Sequence, residues 1–161
     1  MILVIVASSA NGFDRVVESV DKLKVEGIIK DKVTAQIGNG KYKPEKIETT
    51  FKFKDFEEIN NLSAKADMII SHAGAGTIMM ALRLGKPIIC MPRLKELGEH
   101  TDNHQLELAR TLDKEGKILV AKNEGELFDC ITKVKNGWKP RLEKPENKAV
   151  EEVSKFLSSL Q

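Results

Sequence analysis

Two hydrophobic periods alternate along this chain. Ile2-Leu3-Val4-Ile5-Val6-Ala7 is an unbroken branched apolar run, the pattern of a strand covered on both faces. A polar turn follows, Ser8-Ser9-Ala10-Asn11-Gly12, after which Phe13, Val16, Val17, Val20 and Leu23 recur at helical spacing. Asn11 is placed to cap that helix, and Asp14 falls in its first turn. The pattern then predicts strands over 32–37 and 47–53, with Gly38, Gly40 and Pro44 breaking the loop between them. It continues with a helix over 55–65, a strand over 67–71 and a helix over 75–84 in which Ile78, Met79, Ala81, Leu82 and Leu84 carry the apolar period. Gly85-Lys86-Pro87 stops that helix, and Ile88-Ile89-Cys90-Met91 reads as another buried strand. A helix over 103–114, a strand over 117–121 and a helix over 124–135 complete the alternation.

Beyond a linker marked by Gly137, Pro140 and Pro145, a last helix is expected over about 146–159. Its face of Val150, Val153, Phe156, Leu157 and Leu160 either packs on this chain's own core or docks on a partner. Strands alternating with helices imply a parallel sheet with right-handed crossovers. The expected fold class is therefore α/β, a doubly wound parallel, Rossmann-like sheet over residues 1–140, with 141–161 as linker and terminal helix. Ligands of such sheets bind beyond the carboxyl ends of the strands, so the turns after residues 7, 71 and 91 share one rim.

Composition narrows the function classes. The 161 residues are 41% hydrophobic and 31% charged, enough for one domain with a proper core. A formal charge of +2, with basic residues spread along the chain, argues against nucleic acid as a partner. The opening apolar run is too short to span a bilayer and lacks the basic start of a signal peptide, so a soluble, cytoplasmic chain is expected. Cys90 and Cys130 lack metal spacing and read as buried free thiols.

The chemistry concentrates in Ser71-His72-Ala73-Gly74-Ala75-Gly76-Thr77, a tight turn between strand and helix. Unpartnered N–H groups at a helix start, beside the positive end of its dipole, form an anion site. The glycines serve either to let a diphosphate approach the backbone or merely to permit a sharp turn. No G-x-G-x-x-G spacing and no Walker lysine accompany them, which argues against a dinucleotide cofactor or a P-loop. His72, His100 and His104 have no matching carboxylates, so no metal is expected. The polar stretch from Arg93 to Gln105 holds a capping box, Asp102 with Gln105, and a cluster, Asn103-His104-Gln105, suited to sugar hydroxyls.

These segments, with Ala81-Leu82-Arg83-Leu84-Gly85-Lys86-Pro87 and Glu99-His100 through Ala109, resemble the C-terminal domain of glycosyltransferase family 28. Phe13-Asp14-Arg15 and Gln36-Ile37-Gly38 are similar to N-terminal motifs of the split form of that family. That form includes the soluble catalytic subunit of the two-subunit N-acetylglucosaminyltransferase of N-glycan assembly and its counterpart in bacterial polysaccharide synthesis. The resemblance implies the donor-binding half of a GT-B glycosyltransferase, an inverting enzyme moving N-acetylglucosamine or another hexose from a UDP-sugar to a membrane lipid-linked acceptor, with no cofactor or metal. A membrane-anchored partner subunit would hold that acceptor and recruit the chain to the cytoplasmic face.

On the same footing Gly74, Ala75, Gly76 and Thr77 would bind the diphosphate, Ser8 and His72 would flank diphosphate and sugar, and Asn103 and Gln105 would hold sugar hydroxyls. Ser9, Arg93, Glu99, His100 and His104 are further candidate contacts, and Phe53 and Phe56 would lie by the base. No catalytic base is assigned. In the family an acidic residue usually stands at the position of Met80, where it holds the ribose, and glycine and proline tend to stand at those of Ala7 and Gly12. Met80 thus implies weaker ribose binding, restored by Met80→Glu, and leaves open a non-catalytic module of the same fold.

Overall fold

The computed structural model describes residues 1–6, 12–100 and 104–142, with His104 represented by its backbone. The elements run β1 (Ile2–Ile5), α1 (Asp14–Val25), β2 (Val33–Gln36), β3 (Thr49–Phe51), α2 (Phe56–Lys65), β4 (Met68–Ser71), α3 (Ala75–Arg83), β5 (Ile88–Cys90), α4 (His104–Lys114), β6 (Leu119–Val120) and α5 (Glu124–Lys135). All strands pair in parallel, in the order β3-β2-β1-β4-β5-β6. This is the doubly wound sheet expected from the alternation of periods. The strands are shorter than their apolar runs, because the ladder ends before the hydrophobic pattern does.

Alternate residues of each strand feed two cores. Ile2, Val4, Val6 and Ile70 pack with Val16, Val17, Val20, Leu127 and Ile131 of α1 and α5. On the opposite face Leu3, Ile5, Ile69 and Ile88 pack with Ile78, Met80, Ala81 and Ala109 of α3 and α4, with Ile59 and Leu62 of α2 against them. Burying such branched side chains contributes roughly 1.5–3 kcal/mol each and fixes the sheet between its helical layers.

Several local readings change. Phe13, not Asn11, occupies the cap position of α1, without a side-chain hydrogen bond. Asp14 does stand in the first turn, and it also accepts the Lys41 N–H at 3.1 Å, tying α1 to the β2–β3 loop. Within the polar stretch after β5, Lys95–Leu97 form a turn of 3-10 helix closed by Gly98 in the left-handed region, φ 69°. Within α3 the inward face is Ile78, Met80 and Ala81, while Met79 is 59% exposed and shares the outward face with Arg83. The terminal helix expected over 146–159, and with it Val150, Val153, Phe156, Leu157 and Leu160, lies outside the described residues, as does the Asp102 cap.

Register sets up the rim. Ile5 stands opposite Gln36 on one side and Ser71 on the other, Gln36 is level with Phe51, and Ser71 with Cys90. The strand order reverses between β1 and β4: from β1 the chain crosses to β2 on one side, from β4 to β5 on the other. That divergence opens the crevice in which doubly wound folds bind ligands.

Candidate functional site

The turn between β4 and α3 is built on strain and open space rather than on glycine flexibility. Ala73 takes φ 67°, the left-handed conformation that a non-glycine residue adopts at a cost of about 1 kcal/mol or more. Gly74 has an ordinary extended conformation, φ −69° and ψ 130°, and Gly76 is helical. Neither glycine is needed for the turn's dihedrals. A Cβ on Gly74 would lie 2.4 Å from His72 Nε2, so the imidazole occupies the place of a side chain there. A Cβ on Gly76 would meet nothing within 4 Å, so the space in front of the helix stays open.

The start of α3 is correspondingly bare. The Ile78 N–H makes the helix bond to the Gly74 carbonyl at 3.1 Å, which leaves the N–H groups of Ala75, Gly76 and Thr77 without helical partners. Gly74 gives no side-chain cap and the first turn holds no acidic residue. By contrast α2 and α5 are capped by Asp55 and Asn123. Ala75 and Gly76 are exposed, so the dipole end faces solvent.

From this helix end a cleft of 310 Å³ runs across the carboxyl ends of β4, β1 and β2 toward the residues after β3. It brings together His72 and Thr77 at one end with Phe53 and Phe56 at the other. Lys54, Asp55 and Gln36 also line it and were not among the candidates. Phe53 and Phe56 are 45% and 71% exposed, apolar surface left unburied at the mouth.

His72 is buried, with Nδ1 3.3 Å from the Ile5 carbonyl oxygen. A carbonyl only accepts, so the ring proton lies on Nδ1 and Nε2 carries the lone pair. Burial lowers the pKa to about 4; the Ile5 carbonyl works against the fall, and the positive charges of Arg93 and His100 add to it. The ring is neutral at pH 7. Its Nε2 is therefore an acceptor for a hydroxyl, a poorer partner for a bare phosphate oxygen.

The β5–α4 segment is organised by a residue outside the candidate set. Arg15 of α1 forms a two-pronged pair with Glu99, Nε to Oε1 at 2.7 Å and Nη2 to Oε2 at 2.8 Å. The same guanidinium donates to the Pro92 and Lys122 carbonyls, and Glu99 Oε2 also accepts the Leu94 N–H at 2.9 Å. Glu99 is thus engaged in holding its own loop. Arg93 is buried beside Phe13, its guanidinium carbon 5.4 Å from the ring centroid, with Nε and Nη2 lacking hydrogen-bond partners among the described residues. Burial lowers its pKa and the Glu99 charge opposes the fall. Gln105 Oε1 lies 3.4 Å from the Arg93 N–H, and His100 is half-buried. Ser8, Ser9, Asn103 and the His104 side chain lie outside the described residues.

Met80 differs from its expected place. It is 6% exposed and packs in the core under α3, so a carboxylate introduced there would be buried among apolar side chains. The gain expected of Met80→Glu gives way, on this geometry, to a loss of stability. Among the described residues no cluster of His, Cys, Asp or Glu could hold a metal ion, and no helix is long and apolar enough to cross a membrane.

Comparison with known proteins bears on this arrangement. The model of the glycosyltransferase family 28 C-terminal domain matches residues 1–160. The UDP-N-acetylglucosamine transferase subunit ALG13 of Homo sapiens is 35% identical over 117 residues, 69% of this chain but 9% of that protein. The chain therefore spans a small part of that relative's length. A solution structure of ALG13 superposes with TM-score 0.59 at 18% identity, covering 94% of this chain and 93% of that one. The UDP-GlcNAc 2-epimerase of Methanocaldococcus jannaschii, solved with UDP-GlcNAc and UDP, superposes with TM-score 0.62 at 16% identity over 98% of this chain and 45% of its own. At these identities the two structures establish a shared fold.

Proposed function

The chain belongs to the glycosyltransferase family 28 C-terminal domain family, and on that premise we propose that it binds a UDP-sugar, with UDP-N-acetylglucosamine as the donor, and transfers the sugar with inversion to a lipid-linked acceptor. The observation that carries this reading is the bare, exposed start of α3 opening onto a cleft with aromatic rings at its far end. A nucleoside diphosphate has the matching polarity, anionic at one end and flat and apolar at the other.

In this reading the amides of Gly74–Thr77 hold the diphosphate, and Arg93 supplies countercharge from beneath. Charge builds on the departing UDP as the glycosidic bond breaks, and fixed donors at a helix end stabilise that charge more than the ground state. His72 Nε2 accepts a sugar hydroxyl, with Asn103 and Gln105 holding others. Phe53 and Phe56 flank the base. The base that deprotonates the acceptor hydroxyl comes from a membrane-anchored partner subunit, which also holds the acceptor and recruits this chain to the membrane. The choice of N-acetylglucosamine is supported by the name of the human relative.

Calorimetric titration of the chain, alone and with its partner, against UDP, UDP-N-acetylglucosamine, UDP-glucose and UDP-galactose tests the proposal. UDP and UDP-N-acetylglucosamine are expected to bind, the latter ahead of the other sugars. No binding of any of them under either condition would overturn it.

A further inference from the structure

Gln36 ends β2 at the middle of the cleft, in a motif to which the transfer reaction gives no role. It is 8% exposed, and its Nε2 donates to the Val6 carbonyl at 2.9 Å. A carbonyl accepts only, so this bond fixes the amide's orientation: nitrogen toward β1, oxygen away from it. Gln36 Oε1 is buried and, among the described residues, has no partner. An acceptor held rigid and unsatisfied in a cleft wall costs free energy unless a ligand supplies a donor.

The sheet indicates which part of a ligand reaches it. Strands lie about 4.8 Å apart, so β2 is about 10 Å along the rim from β4, where the anion end sits. Gln36 is level with Phe51, the last residue of β3, two residues before Phe53. It therefore lies on the aromatic side of the cleft, where the proposed function places the nucleobase.

We propose that Gln36 selects the base by accepting its ring N–H, so that uracil, which carries a proton on N3, is taken and cytosine, which presents a lone pair there, is refused. With cytosine two acceptors would face each other at a buried oxygen. A site that hydrogen-bonds one ligand rejects the analogue lacking the donor more strongly than apolar fit alone would. The inference rests on the donor reading above and deepens it.

The test compares Kd values of the full chain for UDP, CDP, N3-methyl-UDP and 2′-deoxy-UDP, by calorimetry. UDP is expected to bind roughly ten-fold or more tighter than CDP and N3-methyl-UDP. Gln36→Met, which keeps the side chain's length, is expected to melt as a folded chain and bind UDP and CDP within about two-fold of each other. The comparison of UDP, CDP and N3-methyl-UDP needs no substitution and decides the question even if that variant fails to fold. Equal affinity for UDP, CDP and N3-methyl-UDP in the unaltered chain would overturn base selection while leaving the donor reading in place. So would a ten-fold loss with 2′-deoxy-UDP that Gln36→Met abolishes, since the donor would then be a ribose hydroxyl. Failure to bind UDP at all would remove both.

Discussion

Two clefts lie at opposite ends of the same sheet, and the larger one is not the candidate site. The cleft at the amino-terminal ends of the strands has a volume of 380 Å³ and is lined by Asp31, Met68, Lys86, Pro87 and Trp138 among others. Its polar groups serve the chain itself: Lys135 Nζ lies 2.6 Å from Asp31 Oδ2, and Lys86 Nζ donates to the Ala66 carbonyl at 2.8 Å. The cleft at the carboxyl ends is 310 Å³, and Gln36 in its lining carries an unmet hydrogen bond. The buried side-chain atoms without partners among the described residues belong to Gln36, Ser71 and Arg93. Gln36 closes β2, Ser71 closes β4 and Arg93 follows β5. Volume does not separate the two ends; unsatisfied hydrogen bonds and an uncapped helix do. Buried polar groups are nearly always paired in folded proteins, so a row of exceptions along one rim points to a ligand.

The comparison breaks most directly at Gly76. A Cβ there meets nothing within 4 Å, and the helix loses nothing by exchanging a glycine for a residue with a side chain. The folded chain is expected to keep or slightly raise its melting temperature while UDP affinity falls by about 100-fold or more, since the open space is the proposed diphosphate seat. A stable Gly76→Val chain with unchanged UDP affinity would place the anion elsewhere and undo the distinction between the two ends.

A second measurement sharpens the contrast through pH. His72 has a pKa of about 4 in the folded chain, because burial disfavours its charged form, against about 6.5 when unfolded. Between these values the unfolded chain binds a proton that the folded chain refuses, so stability rises with pH across that window. Its contribution is whole above about 6.5 and declines as pH falls toward 4, by about 2.5 kcal/mol at pH 4.5. Denaturant titrations at several pH values should show this slope, and His72→Gln should flatten it. A slope that persists in His72→Gln would mean the strained turn does not hold a buried neutral ring.

How much of this was legible in the residues differs from element to element. Periodicity located β4, α3 and β5, because their apolar runs bury on one or both faces. The rim followed from topology, and it gathered His72, Thr77, Phe53 and Phe56 in one cleft. The use of Glu99 was not legible: its partner Arg15 is 84 positions away, on a helix whose pattern marked only the inward face. Met79 and Met80 are both apolar, and the period read along α3 assigned Met79 to the inward face, where the structure puts Met80. The space around the glycines also belongs to three dimensions. Gly74 and Gly76 look alike in sequence, yet one is backed by an imidazole and the other by nothing.

The smallest effect is expected at the opposite cleft, and its smallness is the point. Lys135 pairs with Asp31 at half-exposed positions, side chains 40% and 31% exposed. The Lys135 ammonium, by hydrogen bond and by charge, holds the Asp31 carboxyl below its usual range in spite of partial burial. A depressed carboxylate adds stability at pH values above its unfolded pKa and loses it as pH falls through the folded one, here below about 3.8. Lys135→Ala removes the pair, and exposed pairs of this kind contribute about 0.2–1 kcal/mol. Denaturation at pH 7 should therefore shift by about 1 kcal/mol or less, and the difference should shrink as pH falls below about 3.8 and through the lower pKa of the paired Asp31. UDP affinity should stay within about two-fold, since the pair lies beyond the far ends of the strands from the bare start of α3. A larger fall in affinity without unfolding would show that the two ends are coupled, or that the ligand occupies the larger cleft. Either result would mean that unmet hydrogen bonds are the wrong guide to the site in this fold.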